Sequence, residues 1–254
     1  MSRITLLPQD DRTNGWSAVL PPRTPRPALT GDISADVVVI GAGFAGVGAA
    51  RRLAELRPDI DVVVLDGQTL GEGASGRNSG FAIDLPHNVG SSLEELAKGR
   101  ANLRLARAGI ASLREAVVKH GIDCDWSEAG KYHTASSKRG ANEILRPTVE
   151  ELDRLEEPYR WLDHEETSAR LGTRHFAASV HTPGTVLLNP AALNRGLGDN
   201  LPANVSLYEN SPVLDADFGD TVVLKTASGS VRAPKAILAV NGLAMRFGFW
   251  KGRL

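Results

Sequence analysis

The chain has 254 residues, of which 42% are hydrophobic, 23% charged and 5% aromatic. A chain of this length and composition can bury one large core or two smaller ones, which excludes the disordered and collagen-like classes. Lys and Arg number 29 and Asp and Glu number 30, so a formal net charge of −1 creates no general attraction for nucleic acid or an anionic membrane.

The first 30 residues form a proline-rich arm. Five prolines lie between residues 8 and 27, and because proline lacks an N–H and has a fixed φ, we predict an extended arm over 1–30. Charged residues at 10–12 interrupt the apolar region that a secretory signal needs, so no export is expected. The longest charge-free apolar run, Val37 to Ala50, is shorter than the roughly 20 residues of a membrane span, so no transmembrane helix is expected.

A strand, a helix and a second strand follow the arm. Residues 37–40 are a β-branched apolar run, typical of a strand that is buried on both faces of a parallel sheet. Residues 44–56 have helical spacing and end before Pro58. Residues 61–66 repeat the apolar strand pattern. Together these segments predict a βαβ unit.

The rest of the chain alternates between predicted helices and short strands. The helices are predicted over 91–120 with Gly121 as its cap, over 143–156 with a bend at Pro147, and over 163–171 and 191–201. The strands are predicted over 125–135, 206–208, 213–217, 221–226, 231–233 and 236–240. The last of these is another uniformly apolar strand, as the parallel sheet requires.

A glycine motif separates the first strand from the first helix. The run Gly41-Ala42-Gly43-Phe44-Ala45-Gly46 has the spacing G-x-G-x-x-G. Gly41 allows a tight turn, Gly43 lets the backbone approach a diphosphate at the helix N-terminus, and Gly46 lets the helix pack on the strand. Asp66 ends the next strand, where a carboxylate accepts hydrogen bonds from the ribose of an adenosine. These residues predict a dinucleotide site, the alternative being a glycine-rich turn beside a solvated aspartate.

A second glycine loop, residues 71–80, follows the second strand. Its sequence is Gly71-Glu72-Gly73-Ala74-Ser75-Gly76-Arg77-Asn78-Ser79-Gly80, which holds four glycines. Its backbone can approach a ligand closely, and Arg77 can neutralise a diphosphate or bind a flavin carbonyl. The loop repeats the letters G-x-G-x-x-G but does not open a βαβ unit, and it lacks the last glycine of a serine hydrolase elbow. A flexible surface loop is the alternative.

The two glycine segments together resemble those of a known family. The run from Asp36 to Gly46, the run Val64-Leu65-Asp66 and the run from Gly73 to Gly80 resemble the FAD-dependent amine and amino-acid oxidoreductases of the D-amino-acid oxidase superfamily. The segment 21–29 is similar to the proline-rich arm of the γ-glutamylputrescine oxidoreductase-like branch. The resemblance covers nearly the whole chain.

Three later segments extend the resemblance. Residues 188–193 resemble the element that returns the chain to the cofactor domain, and residues 209–213 resemble the strand in which the backbone of Val213 meets the adenine. The run Ala239-Val240-Asn241-Gly242 resembles the A-T-N-G turn near the cofactor, which makes Ala239, Asn241 and Gly242 candidate site residues.

The resemblance implies an α/β fold with a Rossmann-like FAD-binding domain of the GR2/DAO type. This domain is expected to be discontinuous, over 31–122 and 186–254, and to follow the arm at 1–30. A partial α+β substrate domain is expected over 123–185. The implied reaction oxidises the C–N bond of a small amine or amino acid by hydride transfer to flavin N5, giving an imine that water hydrolyses. No catalytic acid or base is identified.

Two departures from the family pattern bear on activity. Asp66 replaces the more usual glutamate, which shortens the reach to the ribose. Family members also continue well past the A-T-N-G turn, so this chain is expected to be a shortened form or one piece of a split enzyme whose second chain supplies the rest. Phe247, Phe249 and Trp250 are accordingly expected to be exposed, the alternative being that they form a short apolar anchor within the fold. The alternatives are an NAD-linked dehydrogenase, which the second glycine loop disfavours, and a non-catalytic nucleotide-binding chain.

Cysteine and histidine usage excludes two further kinds of site. Cys124 is the only cysteine, so no internal disulfide forms, and a reducing compartment such as the cytoplasm is expected. The six histidines include no i, i+4 pair, so no metal site is predicted. His87 follows the second glycine loop and can face a ligand there, although a surface position is favoured.

Overall fold

The computed structural model describes residues 2–5, 7–8, 13–85, 93–250 and 252, with the backbone alone for Ser2 and for 93–98. Its strands are β1 (Ser2–Arg3), β2 (Gly31–Ser34), β3 (Val37–Ile40), β4 (Val62–Leu65), β5 (Phe81–Ala82), β6 (Lys131–Ala135), β7 (Arg160–Leu162), β8 (Ala178–Thr182), β9 (Val186–Leu187), β10 (Val205–Tyr208), β11 (Asp215–Phe218), β12 (Val222–Lys225), β13 (Gly229–Ala233) and β14 (Lys235–Leu238). Its α-helices are α1 (Gly15–Ala18), α2 (Phe44–Leu56), α3 (Leu93–His120), α4 (Lys138–Gly140), α5 (Arg146–Leu155), α6 (His164–Leu171) and α7 (Pro190–Asp199). Two 3₁₀ segments (Ala74–Gly76 and Asn241–Phe247) and one π-helical segment (Ala141–Leu145) complete the described elements.

These elements form two units. The first comprises Met1–Ser79, Val117–Cys124 and Asn189–Leu254, and the second comprises Gly80–Ala116 and Asp125–Leu188. Residues 80–116, which the sequence places with the FAD-binding domain, group with the second unit in this division. No helix in the described ranges has the length and apolar character needed to cross a membrane.

A four-stranded parallel sheet is the centre of the first unit. Its order is β10-β4-β3-β14, and β3 and β4 are buried along their whole length. Burial on both faces explains why these strands are uninterrupted apolar runs instead of alternating ones. The predicted strands at 37–40 and 61–66 and the predicted helix at 44–56 are confirmed as β3, β4 and α2.

A second, five-stranded sheet packs against one face of the parallel sheet. Its order is β1-β11-β12-β13-β2, with β13 and β2 parallel and the other pairs antiparallel. Side chains from both sheets form one buried cluster, including Ile40 and Leu65 of the parallel sheet and Leu224 and Val231 of the second sheet. Because side chains alternate along a strand, the other residues of β3 and β4 face α2, which packs on these strands.

The strand order of the parallel sheet reverses at β3. The chain places β4 and β10 on one side of β3 and β14 on the other. In open α/β sheets such a reversal leaves a crevice at the carboxyl ends of the strands, and ligands bind there. Gly41 follows β3, Asp66 follows β4 and Ala239 follows β14, so the fold places three predicted site segments at this crevice.

The second unit has its own sheet and core. Its three-stranded sheet is antiparallel with order β6-β8-β7, and β5 pairs with β9. Leu103 of α3, Leu145 and Leu152 pack with Val180 of β8 in one buried cluster. The combination of helices with an antiparallel sheet is an α+β arrangement.

Several predicted elements of the second unit differ from the observed ones. Strand β8, at the centre of the three-stranded sheet, is not predicted at all. The strand predicted over 125–135 is confined to β6, because Asp125 and Gly130 have φ of 53° and 72°, which interrupts an extended chain. The predicted helix at 143–156 is not interrupted at Pro147: the π-helical segment Ala141–Leu145 leads directly into α5, in which Pro147 is the second residue.

The two ends of the first unit also differ from the predictions. The arm is not wholly extended, because Asn14 accepts a hydrogen bond from the Trp16 backbone N–H and begins the short helix α1. Phe247 is buried in the core against Phe218, so its predicted exposure is wrong. Phe249 and Trp250 are exposed as predicted.

Candidate functional site

A cavity of about 1250 Å³ lies at the carboxyl ends of the parallel strands. This exceeds the roughly 300–1,000 Å³ of sites for drug-sized ligands, as a dinucleotide requires. Its lining comes from residues 4, 7, 8, 40–45, 65–75, 77, 194, 211–213, 238–244, 247 and 250, all in the first unit.

Most of the predicted site residues border this cavity. Those that line it are Gly41, Gly43, Phe44, Ala45, Asp66, Gly73, Ala74, Ser75, Arg77, Val213, Ala239, Asn241 and Gly242. Those that do not line it are Gly46, Gly76, Asn78, Ser79 and Gly80. The structure therefore brings together both glycine segments, the acid after β4 and the turn after β14.

The first glycine turn, residues 41–46, has no room for side chains at its key positions. Gly41 has a φ of +100°, and a Cβ there would lie 2.5 Å from the Ala239 carbonyl oxygen. A Cβ at Gly46 would overlap the Gly41 carbonyl oxygen, and one at Gly43 would lie 2.6 Å from Ser75 Oγ. The motif glycines thus permit the turn, the helix packing and the approach of the second loop.

The second glycine loop repeats the local geometry of the first turn. Gly71 has a φ of +86°. A Cβ at Gly76 would overlap the Gly71 carbonyl oxygen, just as a Cβ at Gly46 would overlap the Gly41 carbonyl oxygen. Gly73 has φ −85° and ψ −169°, close to the φ −70° and ψ −178° of Gly43. The repeated G-x-G-x-x-G letters therefore reflect a repeated backbone conformation, although the second copy leads into a 3₁₀ segment rather than a long helix.

Two side chains join the first turn to the second loop. Ser75 Oγ accepts a hydrogen bond from the Phe44 N–H at 2.9 Å, at the start of α2. Asn194 Oδ1 accepts from the Gly71 N–H at 2.8 Å, and Asn194 Nδ2 donates to the Ala42 carbonyl at 3.1 Å. Asn194 is 1% exposed, so its amide is a buried spacer that hydrogen-bonds to both segments.

Asn194 was not among the residues predicted for the site. It lies on α7, between Leu193 and Leu197 and on the buried face of the helix. The sequence did hold one signal for a functional role of Asn194, namely an amide at an apolar position of a predicted helix. Asparagine is a poor helix former, and an amide that is buried must find hydrogen-bond partners. Its partners are 123 and 152 residues away in the chain, so their identity could not be inferred.

Asp66 is held at the cavity wall by two backbone groups. Its Oδ2 accepts from the Ala42 N–H at 2.6 Å and its Oδ1 from the Gln68 N–H at 2.8 Å. Desolvation by burial raises the pKa of Asp66 above its usual 3.8, and these two hydrogen bonds oppose the rise. The contribution of Asp66 to the stability of the native state is therefore largest below pH 3.8 and is lost as pH rises through the raised pKa. A ligand that donates hydrogen bonds to the ionised carboxylate offsets the energetic cost of keeping that charge buried.

Arg77 and Asn78 shape the end of the second loop. Arg77 Nε donates to the Glu72 carbonyl at 2.8 Å, and its Nη2 lies 3.8 Å from the Glu72 carboxylate while the side chain borders the cavity. Asn78 Nδ2 donates to the Ser75 carbonyl at 2.7 Å. Asn78 thus stabilises the loop from outside the cavity, whereas Arg77 is the one cationic side chain among the described lining residues.

The turn after β14 completes the wall. The Ala239 N–H donates to the Ile40 carbonyl at 2.8 Å, which continues the pairing of β14 with β3 beyond the strand end. Asn241 has a φ of +50°, a conformation that asparagine tolerates better than most residues. Val213 is 5% exposed and lines the cavity together with Pro212.

The described residues offer no alternative metal chemistry. They contain no group of three or more His, Cys, Asp or Glu side chains positioned to hold a metal ion. Cys124 is buried. His87 lies outside the described residues.

A parallel sheet with a reversal in strand order, a glycine turn opening α2 and an acid after β4 define a dinucleotide-binding protein of the Rossmann-like class. Residues 36–250 match the family described as FAD dependent oxidoreductase, DAO. The chain therefore belongs to this family of FAD-dependent oxidoreductases, which confirms the resemblance inferred from the motifs.

Relatives and solved structures agree with this assignment. The probable oxidoreductase OrdL of Rhizobium meliloti (strain 1021) is 32% identical over 237 residues, covering 89% of this chain and 54% of that protein. The γ-glutamylputrescine oxidoreductase of Escherichia coli (strain K12) is 30% identical over 228 residues, covering 85% and 51%. Glycine oxidase from Geobacillus kaustophilus superposes with a TM-score of 0.71 at 24% identity, covering 85% and 57%. The chain thus spans about half the length of the relatives it matches.

Proposed function

We propose that this chain binds FAD in the cavity and forms the cofactor-binding half of an enzyme that oxidises the C–N bond of a small amine or amino acid. The observation that carries the proposal is the pair of glycine segments joined by Ser75 and Asn194, with Asp66 bound between the first turn and Gln68. A Cβ at Gly41 or Gly43 would clash with Ala239 or Ser75, so glycine allows these segments to approach one another closely at the wall of a cavity large enough for a dinucleotide.

The residues that border the cavity fit the parts of FAD. The first turn and the start of α2 would hold the diphosphate, because backbone N–H groups and the helix dipole favour an anion. Asp66 would accept from the adenosine ribose, and the backbone of Val213 would meet the adenine. Residues 73–75 and Arg77 of the second loop and the turn from Ala239 to Gly242 would border the rest of the cofactor, with Gly76 and residues 78–80 supporting the loop from outside the cavity.

When bound, FAD supplies the hydride acceptor for oxidation of a carbon that bears nitrogen. The contribution of this chain is to bind and orient the cofactor, and short, aligned contacts are the main source of rate in such a transfer. The substrate class is supported by the names of two similar proteins, γ-glutamylputrescine oxidoreductase and glycine oxidase. No acid or base of this chain is assigned to the reaction.

We propose the domain division that the sequence suggests, with FAD bound by 31–122 and 186–254 and substrate contacts from 123–185. The first unit holds every lining residue of the cavity, which supports its role in FAD binding. We also propose that a second chain supplies the substrate contacts that 123–185 does not. We also propose a cytoplasmic location. The chain has one cysteine, which is buried and cannot form an internal disulfide, and such cysteine usage fits a reducing compartment.

The decisive experiment is reconstitution of the purified chain with FAD, followed by removal of free cofactor. Yellow protein with the visible absorption bands of flavin supports the proposal, whereas colourless protein that binds NAD supports a nicotinamide dehydrogenase. Anaerobic addition of glycine or a γ-glutamylated diamine then tests the reaction, because hydride transfer bleaches the visible flavin band. FAD binding without bleaching by any amine would mean that this chain needs the second half for substrate oxidation.

Acidification is expected to weaken FAD binding through Asp66. Only the ionised carboxylate offers all its lone pairs to the ribose, and burial raises its pKa, so affinity should fall at a higher pH than an ordinary aspartate would require. Fluorescence titration of FAD over decreasing pH should show this fall for the wild type. Asp66→Asn should bind about tenfold more weakly at neutral pH, the loss of roughly 1.4 kcal/mol, and should lack the pH dependence.

Asp61 provides the matched control, since it precedes β4 where Asp66 follows it and it is exposed. Asp61→Asn should retain both the affinity and the pH profile of the wild type. An identical pH profile in wild type and Asp66→Asn would contradict the role of Asp66.

A further inference from the structure

Residues 13–29 of the N-terminal arm contact both ends of the second glycine loop from outside the cavity, whereas Ile4, Leu7 and Pro8 of the same arm line it. Asn14 Nδ2 donates to the Gly71 carbonyl at 2.8 Å, and Trp16 Nε1 donates to the Asn78 carbonyl at 2.8 Å. None of residues 13–29 lines the cavity. These contacts therefore act on the backbone of the loop and not on a ligand.

Glu72 is the first of two carboxylates that join the arm to the loop. Its side chain is 9% exposed, and it accepts from Ser17 Oγ at 2.6 Å and Asn14 Nδ2 at 3.4 Å in the arm, and from Arg195 Nη2 of α7 at 3.2 Å. Glu72 also lines the cavity. A change in the docking of the arm would thus be transmitted to a residue of the cavity wall.

Glu209 is the second of these carboxylates and is fully buried. Its two oxygens accept from Arg23 Nη1 at 2.9 and 2.8 Å, and Oε2 also accepts from the Arg26 backbone N–H. Its Oε1 accepts from the Leu70 N–H at 2.6 Å, immediately before the second glycine loop. One buried carboxylate therefore holds the arm and the entrance of the loop together.

Arg23 also forms a second bidentate ion pair, with Asp199. Its Nε and Nη2 donate to the Asp199 carboxylate at 2.9 and 2.6 Å, and its side chain is 15% exposed. Both acids raise the pKa of Arg23, so it is always charged. Removing one partner of a buried ion pair leaves the other uncompensated, which makes Arg23 a sensitive position in the arm.

We propose that residues 13–29 are a clasp that fixes the second glycine loop in its FAD-binding conformation through Glu72 and Glu209, so that this segment sets FAD affinity although none of its residues lines the cavity. The inference rests on the proposed function, that the cavity binds FAD. If docking of the arm strengthens FAD binding, thermodynamic reciprocity requires FAD to strengthen docking of the arm by the same factor. A role confined to general stability would not produce this coupling.

The test compares three variants of the full chain, Arg23→Ala, Trp16→Phe and Arg57→Ala. Trp16→Phe removes the donor to Asn78 but keeps an aromatic ring, and Arg57 forms an exposed ion pair with Asp59 away from the cavity. We expect Arg23→Ala to raise the FAD dissociation constant about tenfold, Trp16→Phe to raise it by a smaller factor, and Arg57→Ala to leave it unchanged. Arg23→Lys should recover part of the affinity because it restores one charge to Glu209.

Amide hydrogen exchange supplies the second readout. FAD should slow exchange in residues 13–29 of the wild type, and this protection should diminish in Arg23→Ala. If wild type fails to bind FAD, the proposed function is wrong. If wild type binds FAD but the arm variants bind it equally well and FAD leaves exchange in the arm unchanged, the clasp is wrong. Should Arg23→Ala fail to fold, Trp16→Phe decides the question on the same two measurements.

Discussion

Gly46→Ala is expected to abolish FAD binding and to lower the free energy of unfolding by about 3 kcal/mol. The Cβ that this change adds would overlap the carbonyl oxygen of Gly41, which is backbone and cannot move aside without opening the first glycine turn. Opening the turn also shifts the Gly41 contact with Ala239 of the turn after β14. The measurements are chemical denaturation of the apo-protein and FAD titration.

Gly48 provides a control in the same helix. A Cβ at Gly48 meets nothing within 4 Å, and alanine is favoured over glycine in a helix interior by about 1 kcal/mol. Gly48→Ala should therefore stabilise the protein slightly and leave FAD affinity unchanged. Equal stability of Gly46→Ala and Gly48→Ala would contradict the tight packing of α2 on the turn after β3.

Asn194→Leu is expected to weaken FAD binding at least tenfold and to cost about 3 kcal/mol of stability, since the Gly71 N–H and the Ala42 carbonyl both lose their partner in a buried environment. Asn194→Asp tests the direction of the hydrogen bonds. It keeps an acceptor for Gly71 but places a second oxygen against the Ala42 carbonyl, so it should also fail to restore affinity. Both effects are measured by FAD titration and by denaturation of the apo-protein.

Asn204 is the matched control for Asn194. Its Nδ2 donates to the Ile60 carbonyl at 2.9 Å, and it does not line the cavity. Asn204→Asp should lower stability modestly, through the loss of one donor, and should not change FAD affinity. A normal FAD affinity in both Asn194 variants would mean that the spacing of the two glycine segments is set elsewhere.

The repeated geometry of the two glycine segments gives these predictions a common basis. Gly41 and Gly71 both have positive φ, and in each segment the third glycine lies against the carbonyl of the first. Asn194 and Ser75 hold the segments together through hydrogen bonds within the chain itself. A site whose backbone is already positioned avoids the entropic cost of ordering that backbone when the ligand binds. Removing one of these hydrogen bonds should therefore reduce FAD affinity by more than the loss of folding stability alone would.

The local features of the site could be predicted because they depend on neighbouring residues. Uniform apolar runs predicted β3 and β4, and the glycine spacing predicted a turn that only glycine permits. The motif residues that line the cavity follow strand ends, and a parallel sheet brings its carboxyl ends to one edge. The family could be inferred for the same reason, since its motifs are contiguous stretches.

Contacts between distant parts of the chain decided the rest. Asn194 meets Gly71 and Ala42 only after α7 packs beside the cavity, and Glu209 meets Arg23 across 186 residues of sequence. Phe247 is buried because the second sheet supplies Phe218 as its neighbour. Sequence patterns report which backbone conformation a segment favours, whereas the partner of a buried amide, carboxylate or ring depends on which segments tertiary packing brings within a few ångströms.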